Sequence, residues 1–396
     1  MKRLLLASLC LALALGMQAQ HQFMRVWSQG DSDRHPLSDI IYTSGGSQLS
    51  IGTHTYSVSL IDSVTMVPTV FVNFSGNKAQ VDLGQTAGVT CDVSGADVVL
   101  TNTDTTREIE VILSGNSTNG SFTYVGAYKC KIHLSGLNLT SATGSPLNIQ
   151  CGKRIDMILE PGTVNILADA AMGTQKACLY CKGHLELDGS GSLSVRGNAR
   201  HAIATNEYLR LKKGLGSLSV TYAASDAIHA GQYFLMEGGA LDLQGMNGDG
   251  IQAEVTNDAT DELNGQLFIQ GGSIHMTVAA DDTKGIKSDA DMAITGGTFD
   301  IMVTGAGSRG ISCPTNMVIN ENHQSTAMTI YAYGGVYTDS EDNDSRCMGI
   351  KVGGNLTVSA GTVTVYNKGK ARAIKVDGKY TKTGSAVVTG KVITGQ

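Results

Sequence analysis

The side chains able to do chemistry in this chain are charged groups that recur at intervals along its length. The acids Asp226, Asp249, Glu254, Asp281, Asp282, Asp289 and Asp291 fall in the middle of the sequence. The bases Lys284, Lys287, Arg309, Lys351, Lys368, Lys370, Arg372 and Lys375 follow. Carboxylates stacked at the ~5 Å spacing of neighbouring strands repel and are costly unless neutralised. A hard cation is one remedy, because Ca²⁺ takes about 6–8 oxygen ligands from carboxylates and carbonyls. Two readings of the acids stand side by side: Ca²⁺ ligands around Asp226, Asp249, Asp281 and Asp282, or solvated turn acids, since Asp suits turns. The bases also allow two readings. They form either a ladder of cations for a polyanion such as a uronic-acid chain, or an ordinary solvated face.

The cysteines offer less. Cys178-Leu179-Tyr180-Cys181 has the C-x-x-C form of a redox pair or half a zinc site. No second ligand pair stands at a suitable spacing, and the motif lies in a strand-like run instead of at a helix start. Buried free thiols are the expectation. Trp27 is the single tryptophan, and Tyr331, Tyr333, Tyr337 and Tyr366 are candidates either for stacking on sugars or for packing.

The positioning elements follow from composition. Of 396 residues 49 are glycine and 5 proline, and 16% are charged, against usual values of about 7%, 5% and 25%. This describes many short strands joined by tight turns. It excludes collagen, disorder and a large helical protein. The net charge is -6, and -8 once the two positive charges of Lys2 and Arg3 are removed. That argues against nucleic acid or an anionic membrane surface as partner. Lys2 and Arg3, the apolar residues 4–15 and Met17-Gln18-Ala19 read as a secretory signal over residues 1–20. Cys10 follows Leu9 and so makes no lipobox, and no later run is apolar enough for a membrane span. The expected location is secreted, periplasmic or cell-surface. The expected units are the signal peptide, a small β-rich unit at 21–75 with a turn at Ser44-Gly45-Gly46-Ser47, and one domain at 76–396.

That domain is periodic. An aliphatic anchor preceded by Gly or Ala recurs at Ile203, Ile228, Ile251, Ile286, Ile311, Ile350 and Ile374, with spacings of 25, 23, 35, 25, 39 and 24. Leu179 lies 24 residues earlier, and Leu147 is a weaker match. Polar insertions at 256–264, 320–326 and 340–345 account for the long spacings. Each repeat also carries a glycine turn between alternating strands, as in Glu237-Gly238-Gly239-Ala240, Gln270-Gly271-Gly272-Ser273 and Thr295-Gly296-Gly297-Thr298. A strand-only period of about 24 residues excludes leucine-rich repeats and propellers and fits a parallel β-helix. About ten coils would make a rod near 50 Å long. Equivalent positions then form columns. One place after the anchor stand Ala204, His229, Gln252, Lys287, Ser312, Lys351 and Lys375. Two places before it stand His201, Asp226, Asp249, Lys284, Arg309, Met348 and Arg372.

Gly248-Asp249-Gly250-Ile251-Gln252-Ala253-Glu254, and Asp281-Asp282-Thr283-Lys284-Gly285-Ile286-Lys287-Ser288-Asp289 with the glycine turns that follow them, resemble a bacterial carbohydrate-binding domain family. The family consists of secreted, calcium-binding, right-handed parallel β-helices similar in fold to polysaccharide lyases. The resemblance runs from about residue 81 to 390. It implies an all-β right-handed parallel β-helix and pectin-like or other cell-wall polysaccharides as ligands. It implies Ca²⁺ held by Asp226, Asp249, Glu254, Asp281, Asp282 and Asp289. Thr283-Lys284 interrupt the motif, and Arg309, Met348 and Arg372 replace its acid in later coils.

The expected function is a non-catalytic, monomeric binder of acidic polysaccharide, with Lys287, Arg309, Lys351, Arg372 and Lys375 meeting the glycan. The alternatives are a calcium-dependent lyase with Lys287 as base and a structural or adhesive rod. Flanking acids would favour the ammonium form of Lys287, which works against the lyase.

Overall fold

The structure is a computed structural model that describes residues 23–29, 31–36, 40–42, 47–51, 53–84, 86–258 and 260–395. The expected signal peptide and the Ser44-Gly45-Gly46 turn lie outside them. Among the described residues the chain is built of short strands, with one 3-10 turn at Val58–Leu60.

From Thr69 onward the described residues form a parallel β-helix, opened by antiparallel pairings of Thr69–Ser75 with Lys78–Asp82 and of Val89–Ser94 with Asp97–Asn102. One coil runs through Ile228–Ala230, Tyr233–Met236 and Ala240–Leu243 before the next begins at Ile251–Ala253. The first strand of each coil joins a 13-stranded sheet, and the other two join a 22-stranded sheet. The expected anchors fall in a single column. Leu147 pairs in register with Leu179, Leu179 with Ile203, and so on through Ile228, Ile251, Ile286, Ile311, Ile350 and Ile374. All of them are buried. Each such side chain contributes about 1.5–3 kcal/mol by leaving water.

The glycines have two separate jobs. In the turn pairs, Gly239, Gly272 and Gly297 sit at φ of 90°, 88° and 107°, a region that a Cβ disfavours. The glycine before the anchor has a different constraint. A Cβ on Gly310 would lie 2.7 Å from the Gly349 carbonyl oxygen and 2.9 Å from Ile330. This position and the anchor both face inward, so the chain bends here. Two places before the anchor, Lys284, Arg309 and Arg372 are half-buried, whereas His201, Asp226, Asp249 and Met348 are buried.

Two insertions decorate the coils. In the first, Thr256 N–H donates to Asn264 Oδ1 at 2.7 Å, and in another Val336–Thr338 pairs antiparallel with Asp344–Arg346. The N-terminal unit is a pair of three-stranded sheets over a small core of Met24, Val26, Leu49, Ile51 and Ile61. Thr69–Ser75, placed in that unit by the sequence, pairs in parallel with Ile109–Ser117 and so belongs to the helix sheet. Arg25 of the N-terminal unit donates to Glu110 of the helix.

Candidate functional site

The first sheet carries Lys284, Lys287, Arg309, Lys351, Arg372 and Lys375 in its strands, and the acids stand in the segments beside those strands. Along the stacking direction Lys284 pairs with Arg309, Arg309 with Met348, and Met348 with Arg372. In the column one place after the anchor, Lys287 pairs with Ser312, Ser312 with Lys351, and Lys351 with Lys375. The five expected glycan-binding residues therefore share one face.

Their partners divide them. Lys287 holds its ammonium 3.7 Å from Asp249 and 3.8 Å from Asp289, and Lys375 lies 3.1 Å from Asp377. Arg309, Lys351 and Arg372 are half-buried, and among the described residues none has a carboxylate within 4.0 Å. The Arg309 Nε is buried and lacks an acceptor. Burial, and then the charge of Arg309, push the Lys351 ammonium below the ordinary lysine value. Unpaired half-buried cations cost stability, and such costs concentrate at binding sites.

The six expected Ca²⁺ ligands do not converge. Asp226 Oδ1 accepts the Asp249 N–H at 2.8 Å, and Asp249 Oδ1 accepts the Lys284 N–H at 2.7 Å. Asp281 Oδ1 accepts the Ala306 N–H at 2.7 Å. These acids thus stitch one coil to the next through backbone donors that would otherwise be orphaned. Asp282, at φ 49°, lies 3.5 Å from the Lys284 ammonium. Among the described residues no three of the six bring their oxygens together, so as a set they do not fit the oxygen cage of Ca²⁺.

A different cluster does form. His201 Nδ1 and His229 Nδ1 lie 3.1 and 2.9 Å from the same oxygen of Asp226, and His229 Nε2 lies 2.9 Å from Glu254. Burial alone would raise the Asp226 carboxyl. The hydrogen bonds from His201 and His229 outweigh it and hold the group below the usual carboxylate range. The sequence assigns no role to either histidine. The available signal is that His201 precedes Asp226 in one column while His229 follows Asp226 by three residues.

Beside this cluster is a cleft of about 480 Å³, walled by Thr256 and Asn257 of the first insertion. Lys176 and Tyr180 both donate to Asn206 Oδ1, at 3.2 and 3.1 Å, near its rim. The cleft and the cation columns lie on successive strands of one sheet.

The tyrosines and cysteines are elsewhere. Tyr331 stacks on Tyr366 at 5.2 Å on the second sheet, where Tyr333 and Tyr366 are exposed. Cys178 and Cys181 are free and buried, and burial pushes Cys181 up to about 12. Reactive thiols are shifted in the opposite direction.

The fold defines a repeat-built protein of the parallel β-helix class. The family of carbohydrate-binding domain-containing proteins matches residues 94–391, and this chain belongs to it. A carbohydrate-binding domain-containing protein of Acetivibrio thermocellus is 25% identical over 95 residues, which cover 22% of this chain and 33% of that protein. The chain thus matches about a third of that relative's length. A polysaccharide lyase-like protein from C. thermocellum superposes with a TM-score of 0.52 at 21% identity, over 65% of this chain and 98% of the other. That likeness concerns the fold.

Proposed function

We propose that the protein is a secreted, non-catalytic binder that lays an acidic, pectin-like or related cell-wall polysaccharide along the basic columns of the first sheet. The observation that carries this reading is the set Arg309, Lys351 and Arg372, three half-buried cations without a carboxylate partner among the described residues. A polyanion would supply the missing charge. Lys287 and Lys375 flank the set and would contribute while keeping their own acids. Lys287 is held by Asp249 and Asp289 at 3.7 and 3.8 Å, which supports a binder over a lyase with Lys287 as its base. The basic start of the chain at Lys2 and Arg3, followed by apolar residues, supports export to the cell exterior or periplasm. The protein would act as a monomer.

The test is binding to polygalacturonate and to a neutral glucan, with ultraviolet absorbance followed for unsaturated products. Saturable binding to the acidic polymer without rising absorbance is the expected result. Rising absorbance would make the protein a lyase. Absence of binding to either polymer would leave a structural or adhesive rod.

A further inference from the structure

The geometry points to a binding site for a divalent transition metal of the zinc class at His201, Asp226 and His229, with Glu254 orienting His229 from behind. The three donor atoms lie within 4.8 Å of one another. Two of the pairs are at 3.1 and 2.9 Å. Ligands about 2.1 Å from a shared tetrahedral zinc stand about 3.4 Å apart, so adjustments of a few tenths of an ångström would admit the ion.

The surroundings hold the donors in place. His201 opens the strand His201–Thr205, and His229 lies within Ile228–Ala230 one coil on. The second oxygen of Asp226 is fixed by the Asp249 N–H at 2.8 Å. The far nitrogen of His229 faces Glu254 at 2.9 Å. Histidine ligands of metals commonly donate their other N–H to a carboxylate in this way, which sets the ring orientation and strengthens the donor nitrogen. Two imidazoles and one carboxylate suit zinc, copper, nickel or cobalt and do not suit calcium, which takes oxygen. His201 and His229 line the cleft, so a fourth coordination position would open to it.

This inference stands apart from the polysaccharide reading, and its test contains no glycan. Chelator-stripped full chain is titrated calorimetrically with ZnCl₂, and separately with CoCl₂ while visible absorbance is recorded. One ion per chain, with the intense absorption of four-coordinate Co²⁺, is expected. His229→Gln should abolish binding. Glu254→Gln, on an exposed side chain, should weaken it by about 10–100-fold while leaving the melting temperature near that of the wild type. The Glu254 variant carries the test if His229→Gln fails to fold. Failure of both ions to saturate one site would overturn the proposal. So would wild-type affinity in the folded His229→Gln or Glu254→Gln protein, or displacement of Zn²⁺ by equimolar Ca²⁺. Where no ion binds, His229 would serve only as a bridge between Asp226 and Glu254.

Discussion

Lys351 carries its ammonium within the field of the Arg309 guanidinium on the adjacent paired strand, and among the described residues neither has a carboxylate within 4.0 Å. Asp377, whose charge favours the ammonium of Lys351, is itself paired to Lys375 at 3.1 Å. Two like charges are thus kept together, half out of water, with only the distant and shared charge of Asp377 to offset them.

Replacing one of them separates stability from binding. Lys351→Met keeps the aliphatic stem and removes the crowded charge, so the melting temperature at pH 7 should rise. Affinity for polygalacturonate should fall about tenfold, the equivalent of one charge-assisted hydrogen bond. Thermal melts and calorimetry on the same preparation check both signs.

The pH dependence follows from the depressed pKa of Lys351. In the free protein the penalty on its charged form is complete below that pKa and is relieved as pH rises through it toward the ordinary 10.5. Stability therefore gains with pH across this window. A bound polyanion favours the proton, so affinity should drop across the same window, at lower pH than for an ordinary lysine. Lys351→Arg should flatten the affinity profile, because a guanidinium stays charged throughout.

The bend before the anchor has little room for a side chain. A Cβ on Gly349 would lie 2.2 Å from Val365 Cγ1 and 2.9 Å from the Ala373 carbonyl oxygen. Gly349→Ala should cost about 1–3 kcal/mol in denaturant unfolding. The added substitution Val365→Ala should recover part of this, since the closest clash is with a side chain.

The exposed tyrosines make a contrasting prediction. Tyr366 belongs to the second sheet, away from the cation columns. Tyr366→Ala should leave affinity for acidic polysaccharide within twofold of wild type by calorimetry, on the order of the scatter expected for a residue outside the contact.

The anchor column is legible in the sequence because burial demands an aliphatic residue, and the bend takes Gly or Ala before it, in each coil from Ile203 to Ile374. Ile203 through Ile374 therefore announce the fold despite insertions that stretch two of the spacings. The cation columns are equally visible, since Arg309, Lys351 and Arg372 keep their register. Which cations lack a partner is not visible. Lys287 and Lys351 occupy the same column, yet only Lys287 has two acids in reach. The fate of the acids is also hidden. Asp226, Asp249 and Asp281 accept backbone N–H groups from the next coil, a role set by three-dimensional stacking. The histidine cluster escapes a column-by-column reading because it joins a position before one anchor to positions on both sides of the next.

The most direct measurement compares wild type with the double variant Arg309→Met, Lys351→Met for binding to polygalacturonate at low and high salt, with absorbance for unsaturated products followed throughout. The predicted result is wild-type binding that weakens with salt, loss of that binding in the folded double variant, and flat absorbance in both. Equal, salt-insensitive affinity in the two proteins, or accumulating unsaturated product, would contradict the account.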